Sequence, residues 1–244
     1  MTRLLGCLIA ALATSACVQD AHHQSTTFLD RYSNADPTPA HFWECHGFSC
    51  NEVSQVSLSP KEWQRVATIF KPPAKDARTE RRQVAQAVSL MHRLVGAQTG
   101  TAVHQWTHKD SNILPNLSDP TQLDCIDGAV NTWTYMTMME KSGFLRFHHV
   151  AKLSNAGSLL DPRNTAVLQD KSGDYFAVDP SLVDFGVPPP VIPLTAWMGD
   201  WPPDLSANDA PGPPGDKGHA PSLAKRKAVV LATTPQPAAA GANP

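Results

Sequence analysis

Charge is scarce in this sequence. Asp, Glu, Lys and Arg together make up 17% of 244 residues, and the formal net charge is -2. No basic stripe runs through the chain, so nothing electrostatic argues for nucleic acid as a partner. The one dense basic run, Lys225-Arg226-Lys227, reads as a solvated cluster. Long apolar runs are also missing. The apolar stretch over residues 4–13 is too short to span a bilayer core of ~30 Å as a helix. No internal repeat is visible, which removes solenoids and arrays.

Proline is plentiful, at 22 residues, and much of it lies past Gly186. Beyond Leu205 the chain is dominated by Pro, Gly, Ala and Asp, and residues 204–244 are expected to be a disordered tail. At the other end, Arg3 precedes the apolar stretch, and the small residues Thr14-Ser15-Ala16 lead into Cys17. This is the layout of an export signal. The segment Leu12-Ala13-Thr14-Ser15-Ala16-Cys17 resembles a bacterial lipoprotein processing site, with Thr14 where that family prefers Leu. The resemblance implies a signal over residues 1–16, acyl chains on Cys17 and, with Val18 next, residence at the outer membrane. Several acyl chains on one residue suffice for stable anchoring. Ordinary signal cleavage nearby is the other reading. Residues 17–40 are polar and aperiodic, and are expected to be a flexible tether.

The chain has five cysteines. Cys7 belongs to the signal and Cys17 to the lipid site. Cys45 and Cys50, close together around Gly47, are expected to form a disulfide in an oxidising compartment. The neighbouring His41 and His46 leave a zinc site as the alternative, although the spacing fits no standard finger. Cys125 then has no partner. It is either a reactive thiol or an inert buried one.

A globular domain is expected over residues 41–203. Ser59-Pro60-Lys61-Glu62 is a capping box with Pro at the first helical position. A second helix is predicted over residues 76–95, with Val84, Ala87, Val88, Met91 and Val95 as its buried stripe and Arg81, Arg82, Gln83 and Gln86 in water. Met91 is core on this reading, and no cofactor is expected. Asp124 is a candidate N-cap for a third helix that starts at Cys125 and stops at Gly143. Alternation over residues 145–153 predicts a strand with Leu145, Phe147 and His149 on its apolar face and His148 opposite. Residues 165–169 and 174–178 read as a hairpin. The fold class is α+β: helices first, then a small antiparallel sheet packed on the Cys125 helix.

The order of these elements suggests chemistry. A helix N-terminus favours the thiolate of Cys125. An imidazole within reach could take its proton, and an Asp could orient that imidazole. Leu123-Asp124-Cys125-Ile126-Asp127 and Phe176-Ala177-Val178-Asp179-Pro180 resemble motifs of the transglutaminase-like cysteine peptidase superfamily. That resemblance implies a papain-like core, with Cys125 as nucleophile, Asp179 as orienting acid and amide or isopeptide bonds as substrates. The family's His opens the strand paired with the Asp strand; here Arg163 and Asn164 stand at that place. His148 and His149, one strand earlier, are the remaining candidates for the base, and the sequence does not choose between them.

The stretches Cys45-His46-Gly47-Phe48-Ser49-Cys50, Glu80-Arg81, Gln122-Leu123-Asp124-Cys125-Ile126-Asp127-Gly128-Ala129-Val130-Asn131-Thr132 and Gly186-Val187-Pro188-Pro189 together resemble an uncharacterised family of proteobacterial envelope proteins over residues 41–201. Two functions compete. One is a periplasmic thiol hydrolase acting on a peptide, isopeptide or cell-wall amide. The other is a lipid-tethered binding or scaffold module that has lost the catalyst. A metal carrier using His22, His23, His41 and His46 rests on composition alone.

Overall fold

Ser59 opens the first helix by the expected reciprocal caps: its hydroxyl accepts from the Glu62 N–H at 3.3 Å, and Glu62 accepts from the Ser59 N–H at 2.8 Å. The helix, α1, covers Pro60–Ile69. The computed structural model describes residues 36–103, 119–158, 161–205 and 208, all within the unit Met1–Pro211. The expected signal, Cys17, most of the tether, His22, His23 and nearly all of the tail lie outside the described residues.

Helix α2 covers Ala77–Thr99 and carries the predicted stripe of Val84, Ala87, Val88, Met91 and Val95, all buried. It runs past Val95 because Gly100, at φ +80°, supplies the left-handed C-cap. Gly96 stays helical and admits the Phe185 ring, which would lie 2.6 Å from an added Cβ. Arg81 corrects the expectation of a solvated face, since its guanidinium sits 3.9 Å from the centre of the Phe176 ring. Helix α3 covers Cys125–Lys141, with Asp124 as its cap, and a single turn, α4, covers Leu194–Trp197.

Two strands form a hairpin that the sequence did not announce: β1, Phe42–His46, pairs antiparallel with β2, Glu52–Val56. The turn between them begins with Gly47, Phe48, Ser49 and Cys50, all at φ between +56° and +76°. The left-handed region disfavours any residue with a Cβ. The expected Cys45–Cys50 disulfide spans this turn, with Cα atoms 4.9 Å apart.

The main sheet is antiparallel throughout. β5, Asp161–Asp170, is its longest strand and pairs with three others. β3, His148–Val150, and β4, Ser154–Ser158, pair with its two ends. β6, Tyr175–Val178, pairs with β5, and β7, Val191–Pro193, extends the sheet beyond it. The β5–β6 hairpin is the predicted one, its turn held by Asp170 accepting from the N–H groups of Ser172 and Asp174. Helix α3 packs across β5, giving the α+β arrangement of helices and antiparallel sheet. Among the described residues, no helix is long and apolar enough to cross a membrane.

The strand predicted over residues 145–153 is corrected in length and in facing. Only His148–Val150 pairs with β5; His148 is buried and His149 is exposed. The cause is Glu80. This fully buried carboxylate accepts from the N–H groups of Arg146 at 2.6 Å, Phe147 at 3.0 Å and His148 at 2.9 Å, and from His148 Nδ1 at 2.9 Å. A buried charge that needs donors outranks the count of apolar side chains.

Candidate functional site

The N-terminus of α3 is tied down on all sides. Asp124 accepts from the N–H groups of Ile126 and Asp127, each at 2.9 Å, and from Ser49 N–H at 3.0 Å in the hairpin turn. Asp127 returns the cap by accepting from the Asp124 N–H at 3.0 Å. Cys125 is thus the first helical residue, as expected. Its sulfur does not behave as the helix start alone would suggest.

Cys125 is only 6% exposed. Its S–H points at the carbonyl of Pro162 at 3.5 Å, and the Asn164 side-chain amide donates toward the sulfur, also at 3.5 Å. Burial pushes the thiol far above its ordinary range, and the Asp124 and Asp179 carboxylates push the same way. The helix dipole is worth ~0.3–1 kcal/mol at an ordinary terminus, too little to offset that desolvation. Cys125 stays a neutral thiol near pH 7.

Asp179 follows directly on β6, near enough to Cys125 for its negative charge to disfavour the thiolate. It is held by Ser181, whose N–H and hydroxyl donate at 3.0 and 2.6 Å, and by the Trp197 indole N–H at 2.8 Å. Asn164, on β5, contacts the cysteine, and with Arg163 it occupies the place where the resemblance expects a His. A carboxamide neither takes nor gives a proton near neutral pH. Its Oδ1 is buried without a hydrogen-bond partner among the described residues. Beside it, Arg163 donates to the Trp197 carbonyl at 3.3 Å, and its guanidinium lies 4.3 Å from the centre of the Trp201 ring. Trp201 is 38% exposed, so this stack reaches the surface.

The structure brings Cys125 and Asp179 into one cluster and leaves both candidate imidazoles elsewhere. His148 pairs opposite Asp170, at the far end of β5 from Asn164. Six residues of strand separate these positions, a span of ~20 Å. His148 donates from Nδ1 to Glu80, and its Nε2 accepts from Arg81 at 3.2 Å, so both ring nitrogens are engaged. His149 faces outward, bonded to Gln169 at 2.7 Å. A groove of about 480 Å³ beside it is lined by His149, Lys152, Gln169 and Tyr175 among others, and does not include Cys125.

The histidines of the zinc alternative do not join the cysteines, which gather only with Asp127 among the described residues. His46 Nδ1 donates to the Pro120 carbonyl and its Nε2 meets Ser54, while His41 meets Gln55. Neither faces the Cys45–Cys50 sulfurs. Asp127 does, with Oδ1 3.1 Å from Cys45 Sγ and accepting from Cys50 N–H at 2.7 Å. Burial, followed by the Asp124 carboxylate, holds the Asp127 carboxyl well above the usual range. Its place as the third residue of a helix opened by Asp124 was the sequence signal for its capping role.

The chain matches no protein-family model, no curated protein and no solved structure.

Proposed function

We propose that the chain is a lipid-tethered binding or scaffold module of the bacterial envelope, built on a transglutaminase-like core whose catalytic centre is degenerate. One observation carries this reading: the Cys125 sulfur meets the Asn164 amide at 3.5 Å, at the position an activating imidazole would need. Cysteine, strand residue and aspartate keep the order of a thiol-hydrolase triad, and the middle member lacks the chemistry. Burial of the thiol adds to this, because the carbonyl carbon of an acyl donor must reach the sulfur. The partner is a peptide or cell-wall component recognised at the surface, and the tether and Cys17 hold the module at the membrane.

Iodoacetamide tests the degenerate centre. In the folded protein near pH 7, Cys125 should alkylate at least ~10-fold more slowly than in the unfolded chain, followed by peptide mass. Labelling as fast as the unfolded thiol would return the site to the hydrolase reading. The anchor is tested separately. In a bacterial host, Cys17→Ser should move the protein out of the membrane fraction and abolish incorporation of a fatty-acid label. A variant that stays membrane-bound and labelled would remove the tether from the proposal.

A further inference from the structure

The sulfurs of the β1–β2 hairpin differ in a way that a purely structural bridge does not require. Cys45 is fully buried, whereas Cys50 is partly exposed on the turn. Cys45 is also fixed to α3 from both sides of its peptide: its N–H donates to Asn131 Oδ1 at 2.8 Å, and Asn131 Nδ2 donates to its carbonyl at 2.7 Å. Cys50 closes a run of left-handed residues, Phe48, Ser49 and Cys50, that only the surrounding contacts hold in place. One carboxyl, Asp127, reaches the buried sulfur at 3.1 Å and the Cys50 N–H at 2.7 Å.

We propose that Cys45–Cys50 is a thiol–disulfide exchange site, in which Cys50 is the sulfur attacked, Cys45 is the sulfur released, and Asp127 exchanges a proton with Cys45. The co-reactant is a thiol. Its thiolate attacks Cys50 Sγ, the Cys45–Cys50 bond breaks, and the electron pair leaves with Cys45. Asp127, protonated at that moment, gives its proton to the Cys45 sulfur and becomes a carboxylate. A second thiolate attacks the external sulfur of the mixed disulfide and releases Cys50. Two thiols are oxidised to one disulfide, and Cys45 and Cys50 are reduced. In the reverse direction the Asp127 carboxylate takes the proton from Cys45, which then attacks the mixed disulfide on Cys50.

The arrangement suits this division of labour. Cys50 is the more exposed residue of the pair, and attack on Cys45 is blocked by burial. A thiolate released at Cys45 would be a bare charge in an apolar setting, and a proton donor in contact removes that cost. The titratable groups around Asp127 are few. Asp124, from its own helix, adds negative charge that favours the protonated form, and the hairpin contributes the two sulfurs. His46, next to Cys45 in sequence, turns away to Pro120 and Ser54. Cys125 takes no part, so this inference stands or falls apart from the preceding one.

The test uses the full-length oxidised protein and glutathione near pH 7, with acid quench, maleimide trapping and peptide mass mapping. The expected intermediate carries glutathione on Cys50 and a free thiol on Cys45, and it forms at least tenfold faster than global unfolding followed by circular dichroism. Asp127→Asn should slow re-oxidation by oxidised glutathione at least tenfold at pH 7 and change the pH profile of that rate. Adducts mainly on Cys45, or reduction only at the rate of unfolding, would overturn the proposal. So would a folded Asp127→Asn variant with the wild-type rate and pH profile. If that variant does not fold, the adduct position and the rate ratio in the wild type decide. Cys125 is read on its own peptide throughout.

Discussion

Glu80→Ala is expected to destabilise the fold by about 3–5 kcal/mol, read as a fall in the urea midpoint with little change in slope. Glu80 is buried on α2. Its removal would strand the N–H groups of Arg146, Phe147 and His148 and the Nδ1 proton of His148. Each stranded donor costs ~1–3 kcal/mol, and partial relaxation toward water trims the sum. Burial alone would raise the Glu80 carboxyl; the His148 and backbone donors outweigh it, and the net position is below the usual range. A depressed carboxylate contributes stability above its unfolded pKa and loses it as pH falls through the folded one. The wild type should therefore lose this contribution below about pH 4.5, and Glu80→Ala should not. A loss under ~1 kcal/mol would mean that the segment before β3 is held by something other than Glu80.

Glu44→Gln should reverse part of the pH dependence of stability. Glu44 lies in β1, fully buried, and accepts from the Tyr135 hydroxyl at 2.7 Å. Burial pushes its carboxyl up to about 8, and the Tyr135 bond only partly counters this. Between about pH 4.5 and 8 the folded chain holds a proton that the unfolded chain has released. Stability therefore falls as pH rises across that window, by ~1.4 kcal/mol per pH unit at most. The amide of Gln keeps the acceptor for Tyr135 and does not titrate. Urea midpoints at pH 5, 6.5 and 8 should thus show the variant gaining on the wild type by several kcal/mol over the range. Parallel curves would refute the assignment. His92 opposes this slope at its acid end. Burial, with Arg93 adding to it, lowers its ring to about 3, so His92 contributes fully above about 6.5 and loses that contribution as pH falls toward 3. Its ring stands edge-on to Tyr135 at 5.3 Å.

Local signals carried the helices. Ser59 and Asp124 announce their caps within four residues, and the Val84-to-Val95 stripe has one period throughout. The β5–β6 turn was equally plain, because Asp170, Ser172 and Gly173 bond within the turn itself. The β1–β2 hairpin was not. Phe42, Glu44 and Cys45 are all buried, so the period-two alternation that marks a half-solvated strand is missing. The reversal of His148 and His149 leaves one trace in the sequence. Glu80 stands four residues before Val84, on the apolar stripe of α2, and a charge there demands donors from elsewhere in the chain. At the candidate site, the resemblance marked Arg163 and Asn164 together as standing where a His was expected, and only the fold shows that Asn164 is the one that meets the sulfur. The Trp197 indole on Asp179 was not legible, since it depends on how β7 and α4 return to the sheet.

Strand β5 acts as the common ruler of the sheet. Three neighbours read their register from it: His148–Val150 at one end, Ser154–Ser158 at the other, and Tyr175–Val178 along the opposite edge. A residue inserted within it would misalign them together and turn Asn164 away from Cys125. Length changes are better borne at exposed bends such as Lys171-Ser172-Gly173, outside the paired register.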